Sequence, residues 1–349
     1  MHSAFRLTKG LAASLALAAA VVTGAPSGAA AAEETLRLHH FLPPQANVPK
    51  LVLDVWADKV EADSQGKIKV ERFPSMQLGG KPPELIDQAR DGVADVVWTV
   101  VGYTPGRFPR TEVFELPFMM TNAEAVSRAY WELFEKEMEA TEFADYKILG
   151  TWVHGPGLIH SARPVATVDD MKGLKVRGGS RIVNQLLELL GATPVGMPVP
   201  AVAEGLSKGV IDATTIPWEV TTALKVPELV KNHTEFGDRA LYTLTFVLAM
   251  NKDRYEAMSD ELKAVIDQNS GLEFSAFAGG TQEGADAPSR AKVVEMGNNI
   301  VELDEAEVKR WEEASAPIYD QWLKDMESKG IDGQALLDDA RALIAKHTK

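Results

Sequence analysis

The chain has no cysteine in 349 residues. That removes disulfide staples, thiolate nucleophiles and Cys-ligated metals together, and leaves stability to the hydrophobic core. Positive charge is also short, with 36 Lys and Arg against 50 Asp and Glu and a formal charge of −14. The basic residues form no run, which argues against a polyanionic partner such as nucleic acid. No H-E-x-x-H string occurs, and no histidine stands at metal-ligand spacing with carboxylates. Neither Gly155-Pro156-Gly157 nor Gly178-Gly179 continues into a phosphate-cradling loop, so no cofactor is expected. The one long apolar run, Leu11 to Val22, is shorter than the ~20 residues of a membrane span.

What is present is an ordinary globular composition, 45% hydrophobic and 25% charged, with length for two lobes of ~150 residues. Met1 to Ala32 stands apart. Arg6 and Lys9 precede the apolar run, and Ala30-Ala31-Ala32 offers a small-residue cleavage site before Glu33, the plan of a secretory signal. Its removal leaves the mature chain two charges more negative. An uncleaved anchor is the alternative, and no charged stop-transfer pattern follows to support it.

From Thr35 the mature chain alternates in kind. A strand at Thr35–Phe41 is followed by an amphipathic helix at Val48–Ser64 and a strand at Lys67–Phe73. A helix at Pro82–Arg90 and a strand at Ala94–Trp98 complete a β-α-β-α-β order. The same order returns later as strand 174–177, helix 180–190, strand Thr193–Met197, helix Pro200–Ser207 and strand Val210–Thr214. Even the turns correspond, Gly92-Val-Ala-Asp95 with Gly209-Val-Ile-Asp212. The fold class expected is therefore α/β, with two lobes of periplasmic-binding-protein type, each a βαβαβ sheet flanked by helices, and a ligand cleft between them. A helix at Asn122–Glu139 and a buried strand at Tyr146–Val153 lead into the crossover at His154-Gly155-Pro156-Gly157. A β-rich run at Ala240–Met250 returns the chain, and Ser259–Gly279 reads as one helix about 30 Å long, able to span both lobes. Lobe I is placed at 33–153 with a returning segment of about 245–285, lobe II at 154–244, and C-terminal helices at 286–349, with Asp304–Glu327 and Gly333–Lys346 as solvated surface helices.

Arg177 is the leading site candidate. It ends a strand in an open α/β sheet, where ligands bind, and faces the helix N-terminus capped by Ser180, which also favours an anion. His39 and His40 point to opposite faces of a strand end, so His40 is the one taken as ligand-facing. His154 and His160 flank the crossover and could donate to a ligand, with hydrogen-bonded loop histidines as the bland alternative. Aromatic rings gather where strands end, at Phe41, Trp98, Tyr103, Trp152 and Trp218. Trp98 and Trp218 follow the two matching strands, and such faces beside one Arg suit an anion with a flat or apolar body. A competing string, Gly205-Leu-Ser207-Lys-Gly209, matches G-x-S-x-G, with Asp212 and His233 as conceivable partners. Its Ser closes a helix before a strand, the reverse of a nucleophile elbow.

The strings Met171-Lys-Gly-Leu-Lys-Val-Arg177, Thr193-Pro-Val-Gly-Met-Pro198 and Gly209-Val-Ile-Asp212 are similar to those of the DctP-like substrate-binding proteins of tripartite ATP-independent periplasmic (TRAP) transporters. So are Gln77-Leu-Gly-Gly80, Asp91-Gly-Val-Ala-Asp95 and Glu115-Leu-Pro-Phe118, and the likeness runs through nearly the whole mature chain. The resemblance implies a periplasmic binding protein that is not an enzyme, delivers its solute to small and large membrane permease subunits, and grips the substrate carboxylate bidentately with Arg177. A planar fork fits two carboxylate oxygens. Sugar-acid-binding members look as though they carry polar or charged residues where Phe41, Val100 and Ile216 stand, and a second arginine sometimes found in the family ahead of the Lys172–Arg177 string is replaced here by Gly157. The expected solute is thus a monocarboxylate with an apolar body, aromatic or aliphatic. Polyhydroxylated or dicarboxylate ligands would leave oxygens unpaired at about 1–3 kcal/mol each. The competing readings are an exported enzyme such as a hydrolase in the same cleft, a C4-dicarboxylate or sugar-acid binder, and a chemosensory ligand module.

Overall fold

A computed structural model describes residues 33–348; the expected signal segment Met1–Ala32 lies outside the described residues. Two mixed sheets carry the fold. The first contains β1 (Glu34–His39), β2 (Ile68–Phe73), β3 (Val96–Val100) and β4 (Tyr146–Val153). The second contains β5 (Leu158–Ser161), β6 (Lys175–Gly178), β7 (Thr193–Gly196), β8 (Ala213–Ile216) and β9 (Asn232–Glu235). The chain then re-enters the first sheet with β10 (Thr245–Asn251) and finishes at the edge of the second with β11 (Asn299–Glu302).

The orders are β2-β1-β3-β10-β4 and β11-β9-β5-β8-β6-β7. The repeated βαβαβ unit forms the parallel triplets β2-β1-β3 and β7-β6-β8. Each triplet is extended by an antiparallel strand beside a crossover, β10 against β3 and β5 against β8. All five residues of β3 are buried, as expected of a strand covered on both faces. The helix Asp54–Asp63 turns Trp56, Ala57 and Val60 into the same core.

The matching turns do the same work in both halves. The Asp95 carboxylate accepts the Arg37 amide at 2.8 Å, and the Asp212 carboxylate accepts the Lys175 amide at 2.9 Å. Each Asp also donates its own amide to that partner residue's carbonyl. Because Val210 and Ile211 both donate to Gly205 O, the strand expected from Val210 starts at Ala213 instead.

The single spanning helix expected at Ser259–Gly279 is two helices, Asp260–Gln268 and Leu272–Gly284. Gly271 between them has φ +88°, a left-handed value that stops a helix, and its amide bonds to Leu149 O of β4 at 2.8 Å. The link between the sheets falls to Leu272–Gly284 and its continuation Asp286–Glu295. Ser275 Oγ accepts the Thr151 amide of β4, whereas Asp286 accepts the Glu219 amide beyond β8. Pro317 likewise divides the expected Asp304–Glu327 helix into Glu305–Ser315 and Pro317–Ser328. Of the closing elements, Gly333–His347 packs on Ala123–Leu133, and the two preceding helices pack on Arg181–Leu189. Among the described residues no helix is long and apolar enough to cross a membrane.

Candidate functional site

The two crossing segments, 154–157 and 242–244, are tied together. Gly157 N donates to Tyr242 O at 2.9 Å, and Thr243 Oγ1 donates to His154 O at 2.7 Å. Beside this junction lies a cavity lined from both sheets, with about 370 Å³ of space free of protein atoms when the open solvent at its mouth is included.

Arg177 forms one end of it. The side chain is 1% exposed. Its Nε donates to Met197 O at 2.9 Å and its Nη1 to Thr215 O at 3.0 Å, which fixes the guanidinium against the ends of β7 and β8. Among the described residues Nη2 has no partner, although it is buried. A buried cation held only by carbonyls lacks the counter-charge that burial normally demands. Two tyrosines share its surroundings. Tyr103 Oη accepts the Val199 amide at 2.8 Å and keeps its own proton to give; Tyr242 Oη has no partner. Burial raises the pKa of both hydroxyls, Tyr242 to about 12, against the opposing effect of the Arg177 charge. That end of the cavity therefore offers three donors, Nη2 and two phenol O–H groups, which suits an anion.

The walls are apolar. Phe41 stacks on Trp98 with ring centroids 4.5 Å apart, and Trp98 stacks on Phe246 at 5.6 Å; Val100, Ile216 and Leu244 complete them. A second polar group sits among these walls. Trp152 Nε1 donates to Gln282 Oε1, and Gln282 Nε2 donates to Glu219 Oε1, both at 2.9 Å. Burial, only partly offset by the hydrogen bond from Gln282, pushes the Glu219 carboxyl up to about 7.

Of the residues singled out in the sequence, Arg177, Phe41, Trp98, Val100, His154 and Ile216 come together at this cavity. His154 lines it with both ring nitrogens occupied. Nε2 accepts the Leu244 amide at 3.1 Å, so Nδ1 carries the proton and donates to Gly155 O. Burial and the nearby Arg177 charge hold it neutral, with its pKa down to about 4.

His40, His160, Ser180 and Trp218 do not line the cavity. His40 is buried against Trp98 at 6.2 Å between centroids. His160 Nε2 donates to Ile216 O at 3.1 Å, which leaves its Nδ1 to accept from His233 Nδ1 at 2.7 Å. Ser180 Oγ caps its helix by accepting the Val183 amide, and Trp218 Nε1 donates to Glu235. The G-x-S-x-G string assembles no triad. Ser207 is exposed, the Asp212 carboxylate serves Lys175, and the His233 nitrogens go to His160 and Asn298.

The cavity residues not singled out in the sequence include Tyr242, Phe246, Glu219 and Gln282. The first two lie in the β-rich return segment, whose pattern gives a strand but not its neighbour. Glu219 and Gln282 lie 63 positions apart. At Gly157, where the resemblance places an arginine in some members, a Cβ would fall 2.2 Å from the Tyr242 ring, so Tyr242 fills the space beside the small residue.

The sequence profile of the DctP family, described as bacterial extracellular solute-binding protein, family 7, matches residues 38–325. The chain belongs to this family. Within it, the chain is 29% identical over 332 residues to the Comamonas testosteroni protein named outer membrane transporter protein TsaT, covering 94% of this chain and 96% of that one. It is 50% identical to a TRAP solute-binding protein of Rhodoferax ferrireducens solved with copurified benzoate, over 90% of this chain and 98% of that chain, with TM-score 0.88. A marine-metagenome TRAP solute-binding protein described as specific for aromatic acid ligands, solved with 3-hydroxybenzoate, is 46% identical over 90% and 99% of the two chains, also with TM-score 0.88. This family 7 protein is thus a TRAP-type solute-binding protein with the two-lobed fold of those relatives.

Proposed function

We propose that this protein is the periplasmic receptor for an aromatic monocarboxylate, which it hands to the small and large membrane subunits of a TRAP transporter. The observation that carries the reading is the buried Nη2 of Arg177, a fixed cationic donor with no protein partner, at the end of an aromatic slot. The ligand carboxylate accepts from Nη2 and from the Tyr103 and Tyr242 hydroxyls, and the ring lies between Phe41, Trp98, Val100 and Ile216. The 50% and 46% identical proteins solved with benzoate and 3-hydroxybenzoate support this choice of ligand. The structural links at 154–157 and 242–244 serve as the hinge between a lobe at 33–153 and one at 154–244, which close over the solute. Met1–Ala32 is removed on export; a mature mass beginning at Glu33 would agree, and an intact N-terminus in the secreted protein would not.

Calorimetric titration tests the binding reading. Benzoate should bind the parent protein in preference to succinate or glucuronate. Arg177→Ala should weaken benzoate binding by about 100-fold, as for the loss of a charge-assisted, desolvated contact. Equal affinity in parent and variant would overturn the clamp, and stabilisation by the polar acids alone would overturn the aromatic ligand.

A further inference from the structure

Glu219 is a group that the carboxylate clamp leaves unused. It is 2% exposed, lines the cavity, and has one carboxyl oxygen, Oε2, with no hydrogen-bond partner. The orientation of its neighbour is fixed chemically. An indole can only donate, so Trp152 Nε1 obliges Gln282 to present Oε1 to it and to aim Nε2 at Glu219. Glu219 Oε1 is thereby taken, and Oε2 keeps no partner among the described residues, on a side chain that lines the cavity. A chain that needed only to satisfy Gln282 could end on one neutral acceptor. A carboxyl with a second, unserved oxygen beside a ligand space is costly unless a ligand serves it.

Resting on the reading that the solute carboxylate sits on Arg177, we infer that Glu219 is a specificity-determining residue that recognises a hydroxyl on the aromatic ring, so that the preferred solute class is the hydroxylated aromatic acids. A hydroxyl satisfies the group in either protonation state. It donates to Oε2 of the carboxylate, and it accepts from the carboxylic acid. With the carboxyl pushed up to about 7 by burial, both states are reached near neutral pH. A second carboxylate at this position would be repelled by the ionised form, so aromatic dicarboxylates are disfavoured.

The experiment is calorimetric titration of the full mature chain with benzoate, the 2-, 3- and 4-hydroxybenzoates and the matching fluorobenzoates, which carry a small substituent with no O–H. One hydroxy isomer should bind at least about tenfold more tightly than benzoate, its fluoro counterpart should show no such gain, and the ratio of hydroxybenzoate to benzoate affinity should fall to near one in Glu219→Leu. A tenfold gain that persists in the folded variant, or that the fluoro acid reproduces, would overturn the role of Glu219. Should Glu219→Leu fail to fold, the fluoro comparison in the parent decides alone. If all the acids bind the parent equally, Glu219 recognition fails while the Arg177 clamp stands. If none binds, the aromatic-acid reading itself fails.

Discussion

At the scale of single residues, the site is a division of labour around one cation. Arg177 spends two of its nitrogen donors on the carbonyls of Met197 and Thr215, which immobilises the fork, and leaves Nη2, the donor proposed for the solute, without a partner among the described residues. The Tyr242 hydroxyl is the second free donor, and it stands where the resemblance leads one to look for an arginine. Replacing Tyr242 by Phe should keep the ring that fills the space beside Gly157 and remove only the hydroxyl. The expected result is about three- to tenfold weaker carboxylate binding with little change in thermal stability, read by titration and a melting curve in parallel. Unchanged affinity would place the hydroxyl outside the recognition of the anion. How legible these residues are in sequence differs by kind. Arg177 is legible because it ends a strand inside a family string. Tyr242 is not, because its proximity depends on how the return segment pairs with 154–157.

At the scale of elements, the G-V-x-D turns explain why two unrelated stretches of sequence make equivalent corners. In each, the Asp side chain accepts an amide from the first strand of its triplet, and this pins the third strand alongside the first. Asp212→Ala should leave the Lys175 amide without its acceptor and cost about 1–2 kcal/mol, seen as a lower urea midpoint with an unchanged slope. A midpoint equal to that of the parent would show that water serves the amide equally well. The histidines belong to this scale too. Asn298 donates to His233 Nε2, His233 Nδ1 donates to His160, and His160 Nε2 donates to the Ile216 carbonyl. This ordered chain explains why two histidines that looked available for a ligand or a triad are committed to holding β5, β8 and β9 in place. Burial keeps them neutral, with pKa values down to about 3 and about 4.

At the scale of the molecule, the two sheets are coupled through buried acids on the connecting helices. Asp286 accepts the Glu219 amide, and burial together with the Glu219 charge pushes its pKa from 3.8 up to about 8. The folded form therefore keeps a proton that the unfolded chain releases above about pH 4. Its contribution to stability is complete below that value and is lost as pH rises through about 8. Asp286→Asn, which cannot ionise but retains an acceptor, should gain in melting temperature over the parent as pH rises from 5 to 8.5. A constant difference across that range would remove Asp286 from the pH response.

The sequence by itself determined the composition class, the repeated βαβαβ order, the family strings and the placing of Arg177 at a strand end, because each depends on local periodicity, turn chemistry or short spacing. It showed β10 as a returning β-rich run without its neighbours and did not show β5, because the partners of both are set by the crossovers. It also missed the break at Gly271, where helical periodicity on both sides hides a left-handed residue bonded to Leu149. The tertiary structure alone decided which side chains converge on the cavity. Phe41, Arg177, Glu219, Tyr242 and Gln282 come from separate stretches of chain, and only the packing of two sheets across a shared helix and two crossing segments brings side chains that keep unpartnered atoms, Arg177, Tyr242 and Glu219 among them, to the lining of one cavity.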